Sequence, residues 1–393
     1  MSGAPATMTE EGARAEIDRL LQILCDLGGS DLHIKGGAPH SVRVDGQLYC
    51  LEGEPVINAE DTLTLAEAIM TPKIQGIFRE RHEADFAYSV HHVGRFRINA
   101  FHQRGSVALA IRRVLTSSTS IADLWLPDVV RRLAEEQRGL VLVTGPTGSG
   151  KTTTLAAMIN HINETRACHI VTVEDPIECL HGDKLSRIDQ REVGFDTDSF
   201  SSAMRVVLRQ DPDVILVGEM RDAETVFTAL SAAETGHLVF STLHTTTATE
   251  TINRIIDFFP PHQANQIRLS LASALKGIIG QRLVPRADGN GRVPAIEVMV
   301  ANGRIQQAIA DPQSGIDIPL VISDGEYYGM QSFDQALAKL VINGALELQQ
   351  AMNAASNPHD LKVMLERAGV VQTSGAYVGV FSHSTDDDEV SES

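Results

Sequence analysis

Tryptophan occurs once and cysteine four times in 393 residues, and aromatic residues make up only 5% of the chain. Cys25, Cys50, Cys168 and Cys179 stand far apart with no CxxC spacing, which argues against a disulfide framework or a zinc knuckle and for reduced thiols of a cytoplasm. Positive charge is scarce as well. Lys and Arg number 33 against 51 Asp and Glu, a formal charge of −18, and no basic tract interleaved with aromatics appears, so no nucleic-acid partner is expected. Long apolar runs are missing: the clearest, Leu140–Val143 and Val214–Val217, have strand length and are far too short to span a bilayer. The first residues, 1–18, hold Glu10, Glu11 and Glu16 and lack a basic start followed by an apolar run, so no secretory signal is expected.

What is present is an ordinary soluble composition, 43% hydrophobic and 21% charged, long enough for two or three domains at about 150 residues each. Residues 13–27 carry Leu20, Leu21, Ile23 and Leu24 at helical spacing and end at Gly28-Gly29. Strands follow at 41–44 and 47–51 around the turn Asp45-Gly46, then at 85–90, 94–102 and 107–114, with a helix over 66–81 before these last three. From Gly139 the pattern becomes buried strand, glycine loop and helix in repetition, with strands at 140–144, 169–174, 214–218 and 238–242; this argues for a parallel sheet covered by helices. Beyond Gly280 the strand signal fades and helices dominate, at 303–310, 332–343 and 346–354. These shifts place a small α+β domain over 1–116, a polar linker over 117–121, an α/β domain with a helical C-terminal part over 122–371, and an acidic tail over 372–393 that is expected to be disordered.

Gly145-Pro146-Thr147-Gly148-Ser149-Gly150-Lys151-Thr152 fits G-x-x-x-x-G-K-[ST] in full, between an apolar strand and a helix. Three glycines let backbone N–H groups wrap a polyphosphate, and the following helix adds its positive end. Lys151 is expected to reach the β- and γ-phosphates and Thr152 to coordinate magnesium, with Thr153 completing the nucleotide-binding set. ATP and Mg²⁺ are therefore the expected ligands. Hydrolysis also needs one carboxylate that holds the metal, partly through water, and another that orients the attacking water. Two acidic clusters end predicted strands: Glu174-Asp175-Pro176-Ile177-Glu178 and Gly218-Glu219-Met220-Arg221-Asp222. Glu219 takes the place of a Walker B carboxylate although Gly218 stands where many such motifs carry aspartate, whereas Glu174 and Asp175 are equally explained as helix caps. A third cluster sets His237 and His244 on either side of a buried strand, where a histidine can sense the γ-phosphate or serve as a hydrogen-bonded structural group.

On these blocks the chain resembles the secretion ATPases, and within them the type IV pilus retraction (twitching motility) branch. The match rests on the phosphate loop 145–152, the acidic box 174–178, the segment 211–222 and the histidine box 235–246, with Ser30–Ile34, Arg43–Gly46 and Gly94–Phe101 alike at the N-terminus. The resemblance implies a PAS-like N-terminal domain, a RecA-like P-loop ATPase core and a homohexamer on the cytoplasmic side of the inner membrane. It implies a membrane platform protein as partner and a paralogous retraction ATPase as a further one. By the same resemblance Glu178 is the general base, Glu219 organises Mg²⁺, and Arg97, Arg112 and His237 join the catalytic set. The segment Arg304–Ala310 departs from the Ala-Ile-Arg-rich motif of the branch. An accessory nucleotide-binding ring subunit, or an assembly or type II secretion ATPase, stand as alternatives to a retraction motor.

Overall fold

A computed structural model describes residues 9–44, 46–116 and 119–370. The tail 372–393, the turn residue Asp45 and the first two linker positions fall outside them. Contacts divide the chain into a first unit, residues up to 117 with Pro176–Gly182 and Gly194–Asp196, and a second unit formed by the rest.

In the first unit, helix α1 (Glu10–Asp26) is capped by the Thr9 hydroxyl and buries Ala13, Ile17, Leu20, Leu21 and Leu24, one apolar stripe at three- and four-residue spacing. Strands β1 (Asp31–Lys35), β2 (Ser41–Val44) and β3 (Gln47–Cys50) precede helices α2 (Ala59–Ala68) and α3 (Pro72–Arg81). The single helix expected over 66–81 is thus two. Pro72 has no amide hydrogen to continue a helix and instead opens α3, with Thr71 as its cap. Strands β4 (Glu83–Val90), β5 (Gly94–Gln103) and β6 (Ser106–Thr116) complete an antiparallel sheet of order β3-β2-β1-β6-β5-β4, and the two-residue strand Cys179–Leu180 adds to β6 in parallel. Alternate residues face the helices: Leu32, Ile34, Phe96, Ile98, Leu109 and Ile111 are all buried in one core.

The second unit opens with α4 (Asp128–Ala134) and β7 (Gly139–Thr144), followed by α5 (Lys151–Thr165), β8 (His169–Glu174), β9 (Arg187–Glu192), α6 (Phe200–Val207), β10 (Val214–Val217), α7 (Ala223–Glu234), β11 (Leu238–Leu243), α8 (Ala248–Asp257) and α9 (Ala264–Ala274). The sheet then gains β12 (Leu275–Pro285) and β13 (Arg292–Val300), in the order β9-β8-β10-β11-β7-β12-β13. All neighbours are parallel except the last pair. Both faces are covered, which the strands show residue by residue: Leu140 and Leu142 pack with α6–α9, whereas Val141 and Val143 pack with α4 and α5. The expectation that strands fade beyond Gly280 is corrected here, because β12 and β13 are the longest strands of this sheet. Gly277, Gly280 and Pro294 obscure them in the sequence, and each has a packing reason or an edge position: a Cβ at Gly277 would stand 2.8 Å from Leu133 and one at Gly280 3.1 Å from Phe333. Helices α10 (Gly303–Ala310), α11 (Ile318–Ser323), α12 (Phe333–Ile342), α13 (Leu348–Ala354) and α14 (Pro358–Arg367) follow, and the last three close a separate small core with Val284, Val293 and Ala295.

Candidate nucleotide site

Six parallel strands place their carboxyl ends along one edge of the second sheet, the edge at which open α/β sheets bind ligands. The phosphate loop leaves β7 there. Gly145, Gly148 and Gly150 hold φ of 142°, 77° and 89°, conformations that side chains rarely adopt. At two of them bulk is excluded as well. A Cβ at Gly145 would collide with the Gln281 carbonyl oxygen and stand 2.6 Å from Ser149 Oγ, and one at Gly150 would stand 2.6 Å from Gln281 Nε2. Glycine is thus required by conformation and by the approach of β12.

Lys151, the first residue of α5, is buried, and its Nζ donates to the carbonyls of Gly145 at 2.8 Å and Pro146 at 3.0 Å. The cation is therefore held inside the loop whose amides begin the helix. Thr152 is half-buried in the first turn and Thr153 is exposed, while Pro146, Thr147 and Gly148 form the exposed crest. Ser149 Oγ is buried without a hydrogen-bond partner among the described residues. A cradle that admits no Cβ at Gly145 or Gly150, an orphaned hydroxyl, a captive lysine and a helix N-terminus together fit a polyphosphate. Beside the loop, a cavity of about 450 Å³ is lined by Gly150, Thr153, Thr154 and Gln281 on one side and by Trp125 and Arg286 on the other. Arg286 stands 5.4 Å from the Trp125 ring centre.

Gly218 and Glu219 follow β10 on the same edge. The Gly218 carbonyl accepts from Thr242 Oγ1 at 2.7 Å, its N–H donates to Val173, and a Cβ there would meet the Val173 carbonyl oxygen at 3.2 Å and Glu174 Cα at 3.3 Å. That crowding accounts for glycine where related motifs carry aspartate. The carboxylate falls to Glu219, only 19% exposed, which accepts from Arg221 Nε at 2.8 Å and lies 3.3 Å from His244 Nε2. Arg221 also reaches Asp175, at 3.7 Å. Glu174 is buried and accepts from Thr172 Oγ1 and Gln190 Nε2, a structural role.

His237, expected in the catalytic set, stands apart from this cluster within the second unit. It precedes β11 rather than following it, so it lies at the opposite end of the parallel sheet, about 20 Å along a six-residue strand. Its Nδ1 is 2.9 Å from the Ala232 carbonyl oxygen. Of the two histidines the sequence set around this strand, His244 is the one beside a carboxylate. Sequence reasoning also passed over Gln281 and Trp125, which lie far from any motif; the left-handed φ of 58° at Trp125 has no signature in composition.

The remaining candidates belong to the first unit. Glu178 is exposed within Pro176–Gly182. Arg97 on β5 and Arg112 on β6 are direct cross-strand partners, and Asp31 on β1 and Arg43 on β2 continue the same row. Arg112 Nε donates to Asp31 at 2.8 Å. Burial pushes the Asp31 carboxyl up, but the hydrogen bonds from Ser30 and Arg112 outweigh it and hold it below its ordinary value. Asp31 thus pairs with two arginines, Arg112 and Arg43, and Arg97 and Arg112 remain exposed.

The family model for type II/IV secretion system proteins matches residues 97–322. The type IV pilus ATPase PilU of Pseudomonas aeruginosa is 39% identical over 376 residues, 95% of this chain and 98% of that protein. The type IV pilus retraction ATPase PilT of the same organism is 42% identical over 345 residues, 88% and 99%. Among solved structures, the crystal structure of the pilus retraction motor PilT with bound ADP is 46% identical, with a TM-score of 0.79 over 88% of this chain and 99% of that one. Matched over more than half its length by the family model and nearly end to end by these relatives, the chain belongs to the type II/IV secretion ATPases, in the PilT/PilU twitching-motility branch.

Proposed function

We propose that the chain is a Mg²⁺-dependent ATPase that powers retraction of a type IV pilus as a cytoplasmic ring of six copies, held at the inner membrane by a platform protein. The observation that carries this reading is a complete phosphate loop, with Lys151 captive inside it, on the same sheet edge as Glu219. It is supported by the PilT and PilU relatives and by the ADP found in the PilT crystal structure. The loop amides and Lys151 bind the β- and γ-phosphates of ATP, and the cavity beside Trp125 takes the base and sugar. Mg²⁺, when bound, neutralises phosphate charge, and Thr152 and Glu219 are the residues that would hold it, Glu219 through water. Glu178 takes the proton of the attacking water, and Arg97 and Arg112 stabilise charge on the phosphoryl group being transferred. Losing that charge after hydrolysis releases the arginine anchors and lets the domains of the ring rotate, which moves the bound partner.

A second reading, an accessory motor working beside a paralogous retraction ATPase, is favoured by one observation: the PilU relative aligns over 95% of this chain and the PilT relative over 88%. Deletion of the gene tests both. A principal motor leaves cells with surplus surface pili and no twitching, an accessory one leaves pili that still retract without load, and loss of the pili themselves contradicts both readings in favour of assembly.

A further inference from the structure

Gln281 sits on β12, distant in sequence from every motif, yet it touches the phosphate loop at three points. Its backbone carbonyl occupies the space a Cβ on Gly145 would need. Its side-chain Oε1 accepts from Thr154 Oγ1 at 2.8 Å, a buried hydrogen bond into the first turn of α5. Its Nε2 lies against Gly150, 2.6 Å from where a Cβ on that residue would stand. The side chain is only 3% exposed, and what it exposes lines the 450 Å³ cavity together with Gly150, Thr153 and Thr154. Among the described residues Nε2 donates to no protein acceptor. Nε2 is not sealed in the core but opens on the cavity, so its donor is available to an acceptor that occupies that space.

We propose that Gln281 binds the nucleotide from the β12 side: Oε1 braces the phosphate loop through Thr154, and Nε2 donates to an oxygen of the ribose or α-phosphate of a nucleotide in the cavity. This rests on the reading of the loop as a nucleotide site and adds to it a contact from outside the motif. β12 is locked in register both to β7, where Gly280 pairs with Thr144, and to β13, where Gln281 pairs with Ile296. The contact therefore ties the nucleotide to the antiparallel arm of the sheet. It also gives a reason for the glycines at 145 and 150, since both make room for this one residue.

The test uses the full chain, with ADP affinity measured by calorimetry, KM and kcat for ATP, and melting of the nucleotide-free protein. Gln281→Met keeps the shape and loses both polar ends; it is expected to weaken ADP binding about tenfold or more, as for a hydrogen bond to a charged oxygen, and to raise KM by more than it lowers kcat. Thr154→Val removes only the brace, so it lowers the melting temperature while ADP affinity stays within about threefold, because Nε2 remains. Gln281→Glu keeps the acceptor for Thr154 but replaces the donor by negative charge, and is expected to melt near the wild type yet bind ADP most weakly of the three. If Gln281→Met and Gln281→Glu bind ADP within twofold of wild type, Gln281 is a structural brace and the proposal is overturned while the nucleotide reading stands. If wild-type protein binds no ADP, both are overturned.

Discussion

Replacing Gly145 by alanine should cost more than replacing Gly148, although both belong to one loop and both have positive φ. At Gly148 nothing lies within 4 Å of the added Cβ, so the cost is the left-handed backbone alone, about 1–2 kcal/mol. At Gly145, φ is 142°, a region reserved for glycine, which costs about 1–3 kcal/mol by itself. The Cβ also strikes the Gln281 carbonyl and lies 2.6 Å from Ser149 Oγ. That carbonyl belongs to a strand paired on both sides, so it cannot move aside, and overpacking of this kind adds roughly 1–3 kcal/mol. The sum, about 4 kcal/mol, corresponds to a fall in melting temperature of about 8–16 °C for a domain of this size, against roughly 2–8 °C for Gly148→Ala. The assay is thermal unfolding of the nucleotide-free protein, followed by calorimetric titration with ADP. Gly145→Ala should relieve the clash by moving the loop, so whatever folds should bind ADP at least tenfold more weakly, about the loss of one hydrogen bond to a charged oxygen. A Gly145→Ala protein that melts within 3 °C of wild type, or no lower than Gly148→Ala, would refute the claim that β12 fixes the loop.

The sole tryptophan lines the cavity beside the loop, so saturating ADP should change the emission of wild-type protein, and Lys151→Ala should abolish the change; an unchanged spectrum at saturation places the base elsewhere. Glu219→Gln should lower turnover about 10²–10³-fold with ADP affinity within a few-fold, because the lost charge acts on the metal and the reaction and not on the ADP-bound ground state; equal loss in both would make Glu219 a structural residue. His40 is fully buried with neither ring nitrogen partnered among the described residues, and burial pushes its pKa down, outweighing Glu54 and Glu16, which favour the proton, while Arg19 opposes it. The unfolded chain therefore binds this proton first: the stability from a neutral His40 is complete above the ordinary value of about 6.5 and is lost as pH falls from there through the lower folded-state value. The fall in melting temperature between pH 7.5 and 5.5 should be smaller in His40→Leu than in wild type, and equal slopes would exclude His40 as the cause.

The second sheet was legible because its strands are buried on both faces and read as continuous apolar runs, as in 140–143 and 214–217, with glycine loops between them. The phosphate loop was legible because its requirements are local. β12 and β13 were not, since their glycines answer to Leu133 and Phe333, contacts that arise only once distant elements pack. The same reason hid Gln281: its value lies in Thr154, Gly145 and Gly150, all more than 120 positions away in sequence. The choice between His237 and His244 turned on which end of a parallel strand faces the ligand edge, and the six-residue strand between them sets that once the sheet direction is known. Thr71-Pro72 was a readable helix break that the 66–81 pattern overran.

Everything in the proposed activity depends on a triphosphate being bound by the loop and cleaved there. Phosphate release from ATP by the full chain, measured with and without Mg²⁺ beside Lys151→Ala, tests it most directly. Release should require Mg²⁺ and fall to background in the variant. Equal release from both proteins, or none from well-folded wild type, would contradict it.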